Sequence, residues 1–314
     1  NMFYFLKRHG IYFMLFVLAL QNIQAKQISV RPMPLISQLP SNSIRRILQD
    51  KEGFMWFGTL DGLCRYDGYR ILTFRSNLNN PNLIANNDIS CLDKKTYTIS
   101  MLQDKEVLNQ NIETLLVASD GNIWVGTRSS VLCYNPDLTL KKKYNNELPA
   151  TNINSIYEAP DGSLWIALWG SGIYKYNPKD DTFKHYPQIG NGNNPFRIYQ
   201  DCRKQYWVCT WGDGLFLFNP DKEGDEIYVR QEVFNKERQL AENTFFSIVQ
   251  DDTHGYIWVM SISGLHAFEY DKDGKLKNID ISYLFKESNN IYSEIIKDRT
   301  GNLWIATFSE GVLT

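Results

Sequence analysis

Two short stretches of the sequence repeat each other and contain the residues best suited to bind a ligand. Trp169-Gly-Ser-Gly172 and Trp211-Gly-Asp-Gly214 each place an indole in a glycine-containing loop. An aromatic ring can stack on the C–H face of a sugar, while nearby amides and charged groups hydrogen-bond the sugar hydroxyls. The pattern therefore predicts a carbohydrate-binding surface. The candidate ligand-binding residues are Trp169, Trp211, Phe308, Arg128, Asp213 and Asp61.

Residues for other kinds of chemistry are scarce. The chain has four histidines, and its five cysteines include no Cys-x-x-Cys pair, so the sequence predicts no metal site, no cofactor and no catalytic residue. Two of the cysteines, Cys64 and Cys133, occupy matching positions, and we interpret the set as small core residues. A formal net charge of −2 provides no basic surface for a polyanion, so we expect no nucleic-acid partner.

A recurring tryptophan indicates which elements must position these residues. Successive members of the repeat lie 41 to 51 residues apart, except for an interval of 68 residues between the first two. Spacings in the forties are typical of four-stranded propeller blades. The recurring residues are Trp56, Trp124, Trp165, Trp207, Trp258 and Trp304.

Each of these tryptophans follows a predicted tight turn. An aspartate stands six positions earlier in four repeats, and Ala118 and Ala159 stand there in the other two. A glycine stands three positions earlier in all repeats but one, where Lys204 replaces it. Aspartate at the first position and glycine at the fourth are preferred in type I turns. The aspartates are Asp50, Asp201, Asp252 and Asp298, and the glycines are Gly53, Gly121, Gly162, Gly255 and Gly301.

One repeat predicts four antiparallel strands, placed in the first repeat at 44–49, 54–59, 63–66 and 70–74. We therefore predict an all-β fold, a β-propeller of four-stranded blades with six visible repeats, the last of them cut short, within a seven-bladed propeller. The segment 28–36 is expected to complete the last blade as its outer strand. The predicted unit is an incomplete propeller at 26–314, with blades at about 41–78, 79–144, 145–188, 189–236, 237–282 and 283–314.

The long first interval needs an explanation of its own. We interpret it as an insertion near 87–110 within the second blade, because 68 residues are too few for two full repeats. A decayed blade is the alternative interpretation.

The first 25 residues predict export from the cytoplasm. Lys7-Arg8-His9 precedes an apolar run from Gly10 to Leu20, and Ala25 offers a small residue at a cleavage point. This order is typical of a secretory signal peptide at 1–25, with an uncleaved anchor as the alternative.

The repeat also resembles a known family. The segments Leu39 to Ile44, Ile47 to Thr59, Asp61 to Gly68, Asp120 to Thr127 and Asp298 to Thr307 resemble the two-component regulator propellers, periplasmic sensors of hybrid two-component systems in glycan-degrading bacteria. The resemblance implies an N-terminal fragment of a sensor whose C-terminal membrane span and histidine kinase lie beyond Thr314. It also implies anchoring in the inner membrane, an oligosaccharide ligand and a homodimeric full-length receptor.

Antiparallel connectivity places the candidate ligand residues at one end of the propeller, together with five loop asparagines. Those asparagines are Asn42, Asn152, Asn194, Asn243 and Asn290. Three alternatives stay open. In the first, the two tryptophans plug the channel mouth or cover a neighbouring blade, and the asparagines serve turns. In the second, loop acids such as Asp61, Asp213 and Glu310 serve a propeller glycosidase or lyase, which requires two facing carboxylates. In the third, the propeller is a protein-interaction scaffold.

Overall fold

The computed structural model describes residues 28–75, 90–102, 104–108, 110–231, 243–251, 253–262, 264–284 and 291–314. The predicted signal peptide at 1–25 lies outside these residues. Strands dominate the described part of the chain, which also contains three short 3-10 turns at Ile36–Gln38, Gly224–Glu226 and Ser282–Leu284. None of the helices in this part is long and apolar enough to cross a bilayer.

Antiparallel sheets follow one another along the chain, and in each sheet the strands pair in sequence order. Blade 1 comprises β1 (Ile44–Gln49), β2 (Met55–Thr59), β3 (Gly62–Tyr66) and β4 (Ile71–Phe74). A separate two-stranded sheet comprises β5 (Ser90–Leu92) and β6 (Ile99–Met101). Blade 2 comprises β7 (Ile112–Val117), β8 (Ile123–Thr127), β9 (Val131–Tyr134) and β10 (Leu140–Tyr144), and blade 3 comprises β11 (Ile153–Glu158), β12 (Leu164–Leu168), β13 (Gly172–Asn177) and β14 (Thr182–His185).

Three further blades complete the set. Blade 4 comprises β15 (Pro195–Gln200), β16 (Tyr206–Thr210), β17 (Leu215–Phe218) and β18 (Tyr228–Arg230). Blade 5 comprises β19 (Phe245–Gln250), β20 (Ile257–Ser261), β21 (Gly264–Tyr270) and β22 (Leu276–Ile279). Blade 6 comprises β23 (Tyr292–Lys297), β24 (Leu303–Thr307) and β25 (Val312–Leu313).

The first strands of the blades pack side by side around an axis, in the order β7, β11, β15, β19, β23 and β1. The sheet of blade 6 gains its fourth strand from the N-terminal segment, because Arg31 and Thr314 exchange backbone hydrogen bonds of 3.0 and 2.8 Å and Met33 N donates to Val312 O at 2.9 Å. The segment at 28–36 therefore closes blade 6 as predicted. The arrangement confirms the predicted all-β propeller of four-stranded blades.

The sheet of β5 and β6 is a truncated seventh blade between blades 1 and 2. Its hairpin contacts blade 1, where Tyr97 stacks on Phe74 with ring centroids 6.1 Å apart. The following segment contacts blade 2, where Tyr134 donates a hydrogen bond to Asp104 at 3.1 Å. The hairpin forms a sheet of its own, without pairing to the strands of blade 2. This corrects the interpretation of residues 87–110 as an insertion within the second blade and favours the decayed blade.

The exposure of one leucine marks the incomplete sector. Leu115 in β7 is 48% exposed, whereas Ile156 and Ile198 at the same position of blades 3 and 4 are 7% and 1% exposed. The isoleucines are covered because a complete blade precedes each of them. Blade 2 follows the truncated blade, so its leucine is left partly uncovered.

Buried indoles form the core, and the turn aspartate binds them. The indole N–H of Trp56, Trp207 and Trp304 donates to the aspartate six positions earlier at 2.7 to 2.9 Å. In blade 5 the acceptor of Trp258 is Asp251, seven positions earlier, at 2.7 Å. The motif residue predicted there was Asp252, which lies outside the described residues. The turn of blade 5 is one residue longer than that of blade 1, so the aspartate that accepts the indole N–H is Asp251.

The repeats that depart from the motif show physical consequences. Where Ala118 and Ala159 replace the aspartate, the indole N–H of Trp124 and Trp165 is buried with no hydrogen-bond partner in the described part of the chain. Where Lys204 replaces the turn glycine, the backbone still adopts φ of 63°, a left-handed conformation that costs a residue with a Cβ. The turn geometry is therefore kept even where the preferred residue is absent.

Candidate functional site

One end of the propeller carries a rim of six side chains, each from the residue directly after the second strand of one of blades 1 to 6. The backbone N–H of Trp169 and Trp211 donates to the carbonyl of Asn152 and Asn194, respectively, at 2.9 Å in both cases. These bonds tie the loop after the second strand to the loop before the first strand of the same blade. The six rim residues are Leu60, Arg128, Trp169, Trp211, Ile262 and Phe308.

Trp169 and Trp211 form an exposed aromatic pair on neighbouring blades. Their ring centroids lie 6.2 Å apart and their planes are inclined by 56°. The two side chains are 37% and 41% exposed. Phe196 supports the pair, with its ring 5.8 Å from that of Trp211. The structure therefore brings together the two residues on which the predicted carbohydrate surface depends.

Asn194 connects the two tryptophan loops. Its backbone carbonyl accepts the N–H of Trp211, and its side-chain Oδ1 accepts the N–H of Gly170 at 2.9 Å. The loop of Trp169 is also held by Thr151, whose hydroxyl donates to the Trp169 carbonyl at 2.9 Å. The pair is thus ordered before any ligand arrives.

Asp213 binds the backbone of the loop that precedes β15. Its two carboxylate oxygens accept the backbone N–H groups of Asn191 and Gly192 at 2.9 and 2.8 Å. A Cβ added to Gly190 would lie 2.5 Å from the Asp213 side chain, so the loop packs closely on this carboxylate. Asp213 therefore stabilises the loop that carries Asn194, and its carboxylate is already engaged.

The other three candidate residues lie on other blades and have partners there. Arg128 pairs with Glu113 at 2.9 Å. Asp61 faces Arg75 at 3.4 Å, and both side chains are well exposed. The guanidinium of Arg45 lies over the Phe308 ring, with its carbon 4.9 Å from the ring centroid. They share the rim end with the tryptophan pair without forming one cluster with it.

Sequence reasoning missed Phe196 and the linking role of Asn194. Phe196 lies at the irregular pairing step in β15, between Pro195 and Arg197, and the local sequence does not indicate that its ring reaches Trp211. The recurrence of asparagine before the first strand was the available signal for Asn194. Asn290, which belongs to the same set, lies outside the described residues.

Two clefts lie away from the aromatic pair. A cleft of about 530 Å³ is lined by Asp251, His254, Trp258 and Trp304, next to the end of β25. A second of about 470 Å³ is lined by Asp161, Lys175 and Lys204 at the turn end of blades 3 and 4. Within the described ranges no group of three or more potential metal ligands comes together.

Comparison with known proteins adds a family and a fold. Four segments match the two-component regulator propeller family, at residues 38–61, 106–129, 147–170 and 286–309. The chain therefore carries repeats of this family, as the sequence resemblance predicted. No curated protein matches the chain.

Solved structures share the fold at low sequence identity. The extracellular domain of the putative hybrid two component system BT3049 from B. thetaiotaomicron is 22% identical with a TM-score of 0.71, over 91% of this chain and 41% of that one. The corresponding domain of BT4673 from the same organism is 21% identical with a TM-score of 0.70, over 91% and 40%. A streptogramin B lyase is 14% identical with a TM-score of 0.68, over 91% and 97%. The chain spans about two fifths of the length of the two extracellular domains.

Proposed function

We propose that this two-component regulator propeller is the ligand-sensing part of a hybrid two-component receptor, and that its ligand is a glycan breakdown product. The family repeats and the similarity to extracellular domains of such systems support the sensing role. The same similarity supports a periplasmic location. In this proposal a segment C-terminal to the propeller anchors the receptor in the inner membrane and carries the kinase.

The observation that carries the ligand class is the aromatic pair of Trp169 and Trp211. Large aromatic side chains that remain exposed next to each other on an ordered surface are typical of a binding site, because burying them on a partner is favourable. Indole faces suit the C–H face of a sugar, and their N–H groups add hydrogen bonds. The loops are already ordered by Asn194 and Thr151, so binding has little conformational entropy to overcome.

Signalling requires more than binding. A ligand shifts a receptor between two states only if its affinity for the two states differs. The site lies across blades 3 and 4, so a glycan bound to both tryptophans stabilises one relative position of these two blades. In the proposed receptor, this change in the relative position of blades 3 and 4 is the signal that reaches the kinase.

An enzymatic function receives less support from the site. The similarity to a streptogramin B lyase, at 14% identity, concerns the fold alone. Of the loop acids considered for glycoside hydrolysis, Asp213 is held by two backbone N–H groups and Asp61 faces Arg75. Neither faces a second carboxylate in these contacts, as hydrolysis requires.

Calorimetric titration of the full chain with soluble oligosaccharides tests the proposal. We expect at least one glycan class to bind, and Trp169→Ala together with Trp211→Ala to abolish the heat of binding. Leu60→Ala is the matched control, because Leu60 occupies the same rim position on a distant blade and is also an exposed apolar side chain. Failure of every glycan class to bind, or equal loss in the control, would contradict the proposal.

A further inference from the structure

We infer that the tryptophan pair selects oligosaccharides whose chain curves over those that form a flat ribbon. This inference rests on the proposed function, since it specifies the shape of the glycan that the same site binds. It depends on the angle between two rings, their separation and the rigidity of the loops that hold them.

The angle between the indole planes is the first argument. In a flat ribbon such as cellohexaose, the mean planes of successive sugar rings are nearly parallel, so two stacking platforms for it need to be nearly coplanar. The planes of Trp169 and Trp211 are inclined by 56°. A chain that stacks on one indole can stack on the other only if its next ring has turned by a similar angle. Chains that coil, such as maltohexaose, laminarihexaose and arabinohexaose, turn in this way.

The separation of the rings is the second argument. The centroids lie 6.2 Å apart, which leaves no room for an unstacked sugar between the two platforms. The pair therefore contacts consecutive sugars of a chain. A flat chain cannot satisfy the angle by skipping a unit, so one indole loses its stacking contact.

The rigidity of the loops is the third argument. The indoles could accept a flat chain if the loops rotated, but each loop is held at its start by a backbone bond to the neighbouring loop. Asn194 accepts from both loops, at Gly170 N and at Trp211 N. The Phe196 ring packs against Trp211 and limits its rotation. The angle is therefore set before binding, and a mismatched ligand loses affinity.

Calorimetric titration of the full chain with hexasaccharides of both shapes tests this inference. The curved set is maltohexaose, laminarihexaose and arabinohexaose, and the flat set is cellohexaose and β-1,4-linked mannohexaose. We expect the tightest binder to come from the curved set, with an affinity at least about tenfold above that of either flat chain. A tightest binder from the flat set, or equal affinity for both shapes, would overturn the inference while glycan sensing stands. If no member binds, the inference fails, and the wider glycan survey then decides the proposed function separately.

Variants separate the angle from the mere presence of two indoles. Trp169→Ala and Trp211→Ala should each lower the affinity for the best curved chain by about tenfold, whereas Ile262→Ala at the same rim position should leave it unchanged. Asn194→Ala removes the bond to Gly170 and should reduce the ratio of curved to flat affinity. Asn135→Ala, in an exposed turn of blade 2, is its control. An unchanged ratio in the folded Asn194 variant would contradict the role of loop rigidity.

Discussion

The carboxylate of Asp298 accepts the indole N–H of Trp304 at 2.7 Å, and the same side chain caps the turn between β23 and β24. Its other oxygen accepts the backbone N–H groups of Thr300 and Asn302, both at 2.9 Å. One aspartate thus joins a surface turn to a buried indole. This arrangement explains why the aspartate and the tryptophan recur together along the chain.

Removing this carboxylate should destabilise the propeller. We expect Asp298→Ala to lower the free energy of unfolding by about 2 to 3 kcal/mol, because a buried indole N–H and two turn N–H groups lose their acceptor. Urea denaturation followed by tryptophan fluorescence measures the change. Asp120→Ala is the control, because Asp120 caps the equivalent turn of blade 2 and Trp124 has no aspartate partner. Equal losses in the two variants would show that the indole bond contributes nothing.

Supplying the missing carboxylate should stabilise blade 2. The backbone around Ala118 matches that around Asp298, since the N–H of Ala118 donates to the carbonyl of Asn122 and the N–H of Asp298 donates to the carbonyl of Asn302, both at 2.9 Å. We expect Ala118→Asp to raise the free energy of unfolding by about 1 kcal/mol, because Trp124 gains an acceptor. Chemical denaturation gives the stability, and the amide-region NMR signal of the Trp124 indole reports the bond. An indole proton that still exchanges as in the parent chain would refute the explanation.

Restoring glycine to the turn of blade 4 should also stabilise the fold. Lys204 has φ of 63°, where a side chain with a Cβ is strained. We expect Lys204→Gly to increase stability by about 1 kcal/mol, after the larger entropy of the unfolded glycine chain is allowed for. The reciprocal change, Gly162→Lys at φ of 80°, should decrease it. Thermal unfolding of both variants tests this prediction. Shifts of the same sign in the unfolding temperatures of the two variants would contradict it.

The buried histidine of blade 5 should make stability depend on pH. Burial lowers the pKa of His266 to about 4, and its Nε2 lies 2.9 Å from the hydroxyl of Ser261. Because the unfolded chain binds this proton more tightly, the contribution is complete above the ordinary pKa near 6.5 and is lost as pH falls from there towards 4. The loss should be on the order of 3 kcal/mol. The free energy of unfolding, measured as a function of pH in the parent chain and in His266→Gln, isolates the contribution of His266. Parallel curves for the two proteins would contradict this prediction.

Because of the truncated blade, the same kind of substitution should cost less stability in blade 2 than in blade 3. Ile156→Ala should cost about 2 to 4 kcal/mol, because it opens a cavity between complete blades. Leu115→Ala at the same position of blade 2 should cost less than about 1 kcal/mol, because that side chain is already 48% exposed. Equilibrium denaturation compares the two. A large loss at Leu115 would indicate that a complete blade covers it.

Local regularities allowed much of the fold to be predicted. The first blade was predicted at 44–49, 54–59, 63–66 and 70–74, and its strands are β1 (Ile44–Gln49), β2 (Met55–Thr59), β3 (Gly62–Tyr66) and β4 (Ile71–Phe74). Turn preferences and alternation act over a few residues, so one repeat contains the information for its own sheet. The turn of blade 5 shows the limit, because a shift of one residue exchanged Asp252 for Asp251 as the partner of Trp258.

The candidate site could be predicted only in part. The matching loops of Trp169 and Trp211 pointed to neighbouring blades, and the two rings do meet. The sequence did not indicate that Asp213 binds the backbone of a loop some twenty residues earlier. The sequence shows that a carboxylate is present, whereas the fold of the loop determines which groups reach it.

The amino-acid sequence by itself determined the repeating sheet and its turns, because these follow from interactions between residues close together in the chain, and its matching loops identified Trp169 and Trp211 as rim residues of neighbouring blades. Only the tertiary structure decided the angle between Trp169 and Trp211, the use of Asn194 to link their loops, and the place of the truncated blade between blades 1 and 2. These properties depend on how separate sheets pack around an axis. That packing is set by contacts between residues far apart in the chain, which a local pattern does not encode.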